Sequence, residues 1–250
     1  MENIKAIGFD LFNTLITMEF EALKDALSRL TGSLKANGFA IEHTAFVKAH
    51  SEAVLEFLEQ TKRDGKESHN RFWISTALAK LGHDVSPDNS HISAAVETYF
   101  AAFIQYATLI PGTKEMLTTL RQSYRIGLLS NFTHPPAATQ IIAELDLYPF
   151  FDVVLISGDL GYRKPHPSVF EALVDQLGVE KEEIAFVGDD PEADVEGALR
   201  AGLKPVWATY VRDNNITPAP GVVGKGQTDP DPIVPRISHW HDLLALLNTH

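Results

Sequence analysis

The tightest constraint on the fold is a rhythm in the chain. Short apolar runs at Ala6–Phe9, 126–129, Val153–Ile156, 184–187 and 205–208 alternate with stretches of helical spacing, and a weaker run lies at 233–237. Most are apolar at consecutive positions, which suits strands covered on both faces. Strands alternating with helices in this way build an α/β protein, a parallel sheet with helices on both faces. The intervening helices are expected near 113–123, 134–145, 167–177, 191–201 and 240–248.

One interval breaks the rhythm. Between Met18 and Thr108 no convincing strand occurs, only helical stretches near 19–36, 43–63, 70–81 and 91–106. Ala45, Ala49, Val54, Leu55 and Leu58 keep helical spacing, as do Ala94, Ala95, Phe100 and Phe103. A helical block this long after the first strand reads as an inserted second domain. It spans 18–107, and 1–17 with 108–250 form the α/β part. Pro111-Gly112 marks the return, and 212–232, rich in Pro, Gly, Asn and Asp, is expected to be a long surface loop.

Composition narrows the chemistry. There are no cysteines, which excludes disulfides, thiolate metal sites and a cysteine nucleophile. With 21 basic and 33 acidic residues the net charge is −12, so nucleic acid and anionic membranes are not expected partners. A small anionic substrate is compatible only with a local positive site. The N-terminal residues contain no signal-peptide pattern, and no apolar run approaches the ~20 residues of a membrane span. The chain is expected to be cytoplasmic.

In open parallel sheets, function gathers beyond the carboxyl ends of the strands. Here the first strand runs into Asp10-Leu11-Phe12-Asn13-Thr14, the second ends in Ser130-Asn131 and the fourth in Gly188-Asp189-Asp190. Lys164 lies in Gly161-Tyr162-Arg163-Lys164-Pro165, just before a helix. Carboxylates, a hydroxyl and a lysine can therefore converge on one edge. Asp190 precedes Pro191 and suits an N-cap, leaving Asp189 as the better metal ligand. Asp194, in the first turn of that helix, either supports the site or only complements the helix dipole. Arg163 is expected to face solvent. His239-x-His241 is expected to flank the last helix, with no metal. Arg71, Trp73 and Lys66 have no legible role.

These motifs together resemble the haloacid dehalogenase-like hydrolase superfamily. Its pattern is an Asp-x-Asp-x-Thr loop, a Ser or Thr, a Lys and an acidic pair, met here by Asp10 and Thr14, Ser130, Lys164, and Asp189 with Asp194. The resemblance spans nearly the whole chain. It implies a Rossmann-like core with a helical cap inserted after the first motif. It further implies that Asp10 is a nucleophile forming an aspartyl-phosphate, with Lys164 neutralising charge. Thr14, Ser130 and the Asn131 backbone would contact the phosphate. Mg²⁺ would be held by Asp10, the Phe12 carbonyl and Asp189.

One position departs from that pattern. Phosphatases of the superfamily carry a second Asp two residues after the nucleophile, to protonate the leaving oxygen and activate water. This chain has Phe12, which does neither. Three readings follow, in order of preference: a phosphohydrolase, a 2-haloacid dehalogenase, and a binding protein on a catalytic fold. Dehalogenases tolerate an aromatic residue there, but the acidic Gly188-Asp189-Asp190 and the lack of Arg in 37–46 oppose that reading.

Overall fold

The computed structural model describes residues 1–219 and 229–247. Strands β1 (Ala6–Phe9), β2 (Ile16–Met18), β3 (Ala107–Leu109), β4 (Arg125–Ser130), β5 (Val153–Ile156), β6 (Ile184–Gly188), β7 (Lys204–Ala208) and β8 (Arg236–Ile237) form two sheets. Six of them make one sheet in the order β5-β4-β1-β6-β7-β8, with every neighbouring pair parallel. All residues of β1 and β6 are buried, as their consecutive apolar residues require. The chain leaves β1 first toward β4 and β5, then crosses back to β6 on its other side. That reversal opens a crevice beyond the carboxyl ends of β1, β4 and β6.

Helices α1 (Ala22–Ala36), α2 (His43–Asp64), α3 (Asn70–Lys80) and α4 (Ser90–Tyr106) fill the interval between β2 and β3. Ala22, Ala26, Leu30 and Leu34 recur every fourth residue along α1 and are buried, and this stripe lies on α4. Asn89 caps α4 by accepting the His91 N–H at 2.8 Å. Gly65 ends α2 in a left-handed conformation, its N–H donating to the Thr61 carbonyl. Helices α5 (Thr113–Leu120), α6 (Pro135–Glu144), α7 (Ser157–Leu160), α8 (Pro167–Leu177), α9 (Gly197–Ala201), α10 (Tyr210–Asp213) and α11 (Trp240–Leu247) complete the chain.

Some boundaries differ from the sequence expectation. The helix expected at 191–201 opens with a wider π-type turn, Pro191–Glu196, before α9. The run at 233–237 pairs only through Arg236–Ile237, and Ile233 is 87% exposed. Of the loop expected at 212–232, residues 220–228 lie outside the described residues, as does residue 248 of the last helix.

His50 is buried in the helical interval beside Phe46, Trp73 and Tyr99, and its Nε2 has no hydrogen-bond partner among the described residues. Burial lowers its pKa from 6.5 to about 4. The unfolded chain therefore binds the extra proton first. The stability this group contributes is present above its unfolded pKa and is lost as pH falls toward the folded one. Between pH 7 and 5 the loss is about 2 kcal/mol. Urea titrations of wild type and His50→Leu at both pH values should show this increment in wild type alone.

Candidate active site

Asp10 follows β1 directly, and its backbone N–H still donates to the Val187 carbonyl of β6 at 2.9 Å. The ladder thus carries the residue to the edge of the sheet before the chain turns. Asn13 makes the turn with φ 61, a left-handed value Asn tolerates, and its Oδ1 accepts the Ala219 N–H at 2.7 Å. Asp10 is 7% exposed. Its Oδ2 accepts from Thr14 Oγ1 at 3.2 Å and its Oδ1 from Lys164 Nζ at 2.7 Å. Ser130 closes β4, the strand beside β1, and its hydroxyl is buried with no hydrogen-bond partner among the described residues. A buried hydroxyl without a partner is costly unless something else satisfies it, and a ligand oxygen would do so.

Lys164 reaches this point from the loop before α8. Its ammonium lies between two carboxylates, 2.7 Å from Asp10 Oδ1 and 2.7 Å from Asp194 Oδ1. Burial works against the charge, but the Asp10 and Asp194 carboxylates outweigh it and raise the pKa above its ordinary value. The Asn131 side chain grips the lysine backbone from both sides, Nδ2 donating to the Lys164 carbonyl at 3.0 Å and Oδ1 accepting its N–H at 2.8 Å. Nothing in the sequence signals this side-chain role, since the resemblance implies only a backbone contact from Asn131.

The acidic wall comes from β6 and the turn after it. Asp190 caps that turn, accepting from the N–H groups of Glu192 and Ala193. Asp194 Oδ2 accepts the Asp190 N–H at 2.9 Å, which turns the other oxygen toward Lys164. Gly188 makes this possible, because a Cβ there would lie 2.3 Å from the Asp194 carboxyl carbon. Asp194 therefore contacts Lys164 directly as well as standing in the first turn after β6. Trp207 Nε1 donates to the Asp189 carbonyl at 2.9 Å and steadies that strand end.

One ligand oxygen from each of Asp10, Asp189 and Asp194 falls within 4.8 Å of the others. Burial, then the charges of Asp10, Asp194 and Asp190, push Asp189 well above the usual carboxylate range. Burial also lifts Asp194 to about 7, against the pull of Lys164. One lysine does not balance this much negative charge. An all-oxygen donor set with excess negative charge fits a hard divalent cation such as Mg²⁺.

Phe12 lies on the other side of the crevice. Its ring stacks on Phe132 at 5.0 Å, and Phe132 in turn meets Phe100 of α4 at 5.2 Å and Phe103 at 6.3 Å. Where a phosphatase would carry its acid–base carboxylate, this chain has an aromatic wall running into the helical interval. Arg163 does not face solvent as expected. Its side chain is 15% exposed and 3.4 Å from Glu67, whose side chain is 1% exposed. Trp73 packs in the core, Arg71 pairs with Asp88 at the surface, and Lys66 bridges to Tyr162. His239 and His241 flank the start of α11, where they form a second cluster with Asp242.

A parallel sheet with an aspartate–lysine–carboxylate cluster at its carboxyl edge is an arrangement suited to hydrolysis. The chain belongs to the haloacid dehalogenase-like hydrolase family, whose profile matches residues 4–202. It is 35% identical over 229 residues to N-acylneuraminate-9-phosphatase of Rattus norvegicus, covering 88% of each chain. It is 30% identical over 209 residues to glyceraldehyde 3-phosphate phosphatase of Pyrococcus abyssi, covering 83% of this chain and 82% of that one. Among solved structures, a 2-haloacid dehalogenase from Pseudomonas syringae pv. Tomato DC3000 shares the fold, with a TM-score of 0.72 at 22% identity over 98% of both chains.

Proposed function

We propose that the protein is a Mg²⁺-dependent phosphatase acting on a small phosphorylated metabolite, with 18–107 serving as its cap. The observation that carries this reading is the convergence of Asp10, Lys164, Asp189 and Asp194 beside the unpartnered Ser130 hydroxyl. The phosphatase names of relatives at 30% and 35% identity support it.

In this reading an Asp10 oxygen attacks phosphorus, the bond to the leaving oxygen breaks, and an aspartyl-phosphate remains. Water then attacks that phosphorus, releasing phosphate and returning the Asp10 carboxylate. Lys164 keeps Asp10 ionised and meets charge developing on the phosphoryl oxygens, while Ser130 donates a hydrogen bond to one of them. Asp10, Asp189 and the Phe12 carbonyl would hold Mg²⁺, with Asp194 supporting. When bound, Mg²⁺ supplies positive charge to the phosphoryl group. Phe12 brings no proton to the leaving oxygen, so the enzyme favours phosphates whose leaving groups depart without one.

The test is a phosphate-release screen over phosphorylated metabolites, with Mg²⁺ and with chelator, run beside a halide-release assay on 2-haloacids. Mg²⁺-dependent phosphate release is expected. Halide release in chelator without phosphate release would overturn the reading in favour of a dehalogenase. Asp189→Asn should raise the Mg²⁺ concentration for half-maximal turnover by at least ~10-fold.

A further inference from the structure

The segment between α2 and α3 is docked on the α/β part by an unusual set of contacts. Two backbone hydrogen bonds, Glu67 N–H to the Gly161 carbonyl and Arg163 N–H to the Gly65 carbonyl, both 3.0 Å, join it to the loop carrying Lys164. Gly65 fits only because it has no Cβ, which would lie 2.6 Å from the His166 ring. At the other end Asn70, buried at the start of α3, hydrogen-bonds Thr133 in the loop after β4. Between these anchors the Glu67 carboxylate enters the interior. Its Oε2 accepts from Ser157 Oγ at 2.5 Å, and its Oε1 accepts the Ser68 N–H at 3.0 Å and faces Arg163 Nη1 at 3.4 Å.

Ser157 is the pivot. It is fully buried after β5, and its oxygen accepts the Phe132 N–H at 2.8 Å. A hydroxyl has one proton to give. Glu67, as a carboxylate, only accepts, so it takes that proton and leaves a Ser157 lone pair for Phe132. Without Glu67 the hydroxyl has another acceptor, the Phe132 carbonyl at 3.4 Å. Rotation toward it weakens the grip on the Phe132 N–H. Phe132 follows Ser130-Asn131 directly, and Asn131 clamps Lys164.

We propose that Glu67 is a positioning residue. Through Ser157 it sets the loop 130–133, and through Arg163 it steadies the loop of Lys164, so both reach working geometry only when 65–70 is docked. The proposal rests on the phosphatase reading for its kinetic arm but not for its structural one. The Glu67 side chain contacts neither Asp10 nor Lys164, so its effect on turnover is transmitted through these two loops.

The experiment combines Glu67→Ala, Glu67→Gln, Ser157→Ala and the Glu67→Ala/Ser157→Ala pair with hydrogen exchange at the Phe132 amide. Glu67→Ala should lower kcat about 10–100-fold with KM within a few-fold, the range for losing a hydrogen bond to a charged group. Glu67→Gln, which still offers an acceptor to Ser157, should recover most of that loss. The double variant should fall no further than the worse single one. Exchange at Phe132 should accelerate in Glu67→Ala and return toward the wild-type rate in Glu67→Gln. Unchanged Phe132 exchange in a folded Glu67→Ala protein would overturn the proposal, and so would multiplicative losses in the double variant. If the wild type releases no phosphate, the phosphatase reading fails, and the exchange comparison still decides the role of Glu67.

Discussion

Asp10→Asn should abolish turnover while the fold stands. The amide has the shape of the carboxylate, so its oxygen can still accept from Lys164 Nζ, and its NH₂ can donate to the Thr14 hydroxyl. What disappears is the nucleophilic charge. Loss of a covalent nucleophile costs of order 10⁴–10⁶ in kcat when the rest of a site is intact. Removing one negative charge from the group formed with Asp189 and Asp194 relieves repulsion and partly offsets the lost attraction to Lys164, so the variant should stay folded. Single-turnover phosphate release, measured with the thermal midpoint, checks both halves. A folded variant within about tenfold of wild-type turnover would remove Asp10 from the role of nucleophile.

Phe12→Asp should act in the opposite direction. It restores a carboxylate two residues after Asp10, and the gain should be largest for alkyl phosphates, whose leaving oxygens need a proton. Aryl and acyl phosphates should gain little. General acid assistance sets a ceiling of ~10²–10⁴ in rate. The stack of Phe12 on Phe132 at 5.0 Å sets the opposing cost, about 0.5–1.5 kcal/mol beyond the buried area lost. A carboxylate introduced near the Asp10 cluster would have its pKa raised, which favours the protonated form an acid needs. The readout is the ratio of alkyl to aryl phosphate turnover in both proteins. An unchanged ratio in a folded variant would mean that the side chain at position 12 does not reach the leaving oxygen.

The parts of the fold legible in the sequence were those with a local signature. Buried parallel strands are apolar at consecutive positions, and β1, β4, β5, β6 and β7 lie where those runs were read. The edge of the sheet follows from topology, and of the residues near its strand ends the structure brings Asp10 and Asn131 against Lys164, with Asp194 from the turn after β6. What escaped had no local period. Strands β2 and β3 are three residues each, too short to show alternation. The run at 233–237 contains Pro235, whose carbonyl accepts the Trp207 N–H at 2.8 Å but which has no N–H to give, and the residues in register with β7 are Arg236 and Ile237. Glu67 and Ser157 are 90 residues apart in the chain, and nothing around either one announces the other. Arg163 reads as solvated because most arginines are, and its contact with that distant glutamate has no local signal in the sequence.

The pairing of β2 with β3 has an architectural consequence. Thr17 and Thr108 face each other in an antiparallel register, so the excursion that carries α1 to α4 departs from and returns to one place on the scaffold. The order of the six parallel strands owes nothing to what is spliced in between. A tight hairpin joining these two short strands would leave that order as it is. Such a graft point lets the helical segment between β2 and β3 lengthen, shrink or be exchanged while the parallel sheet keeps its strand order.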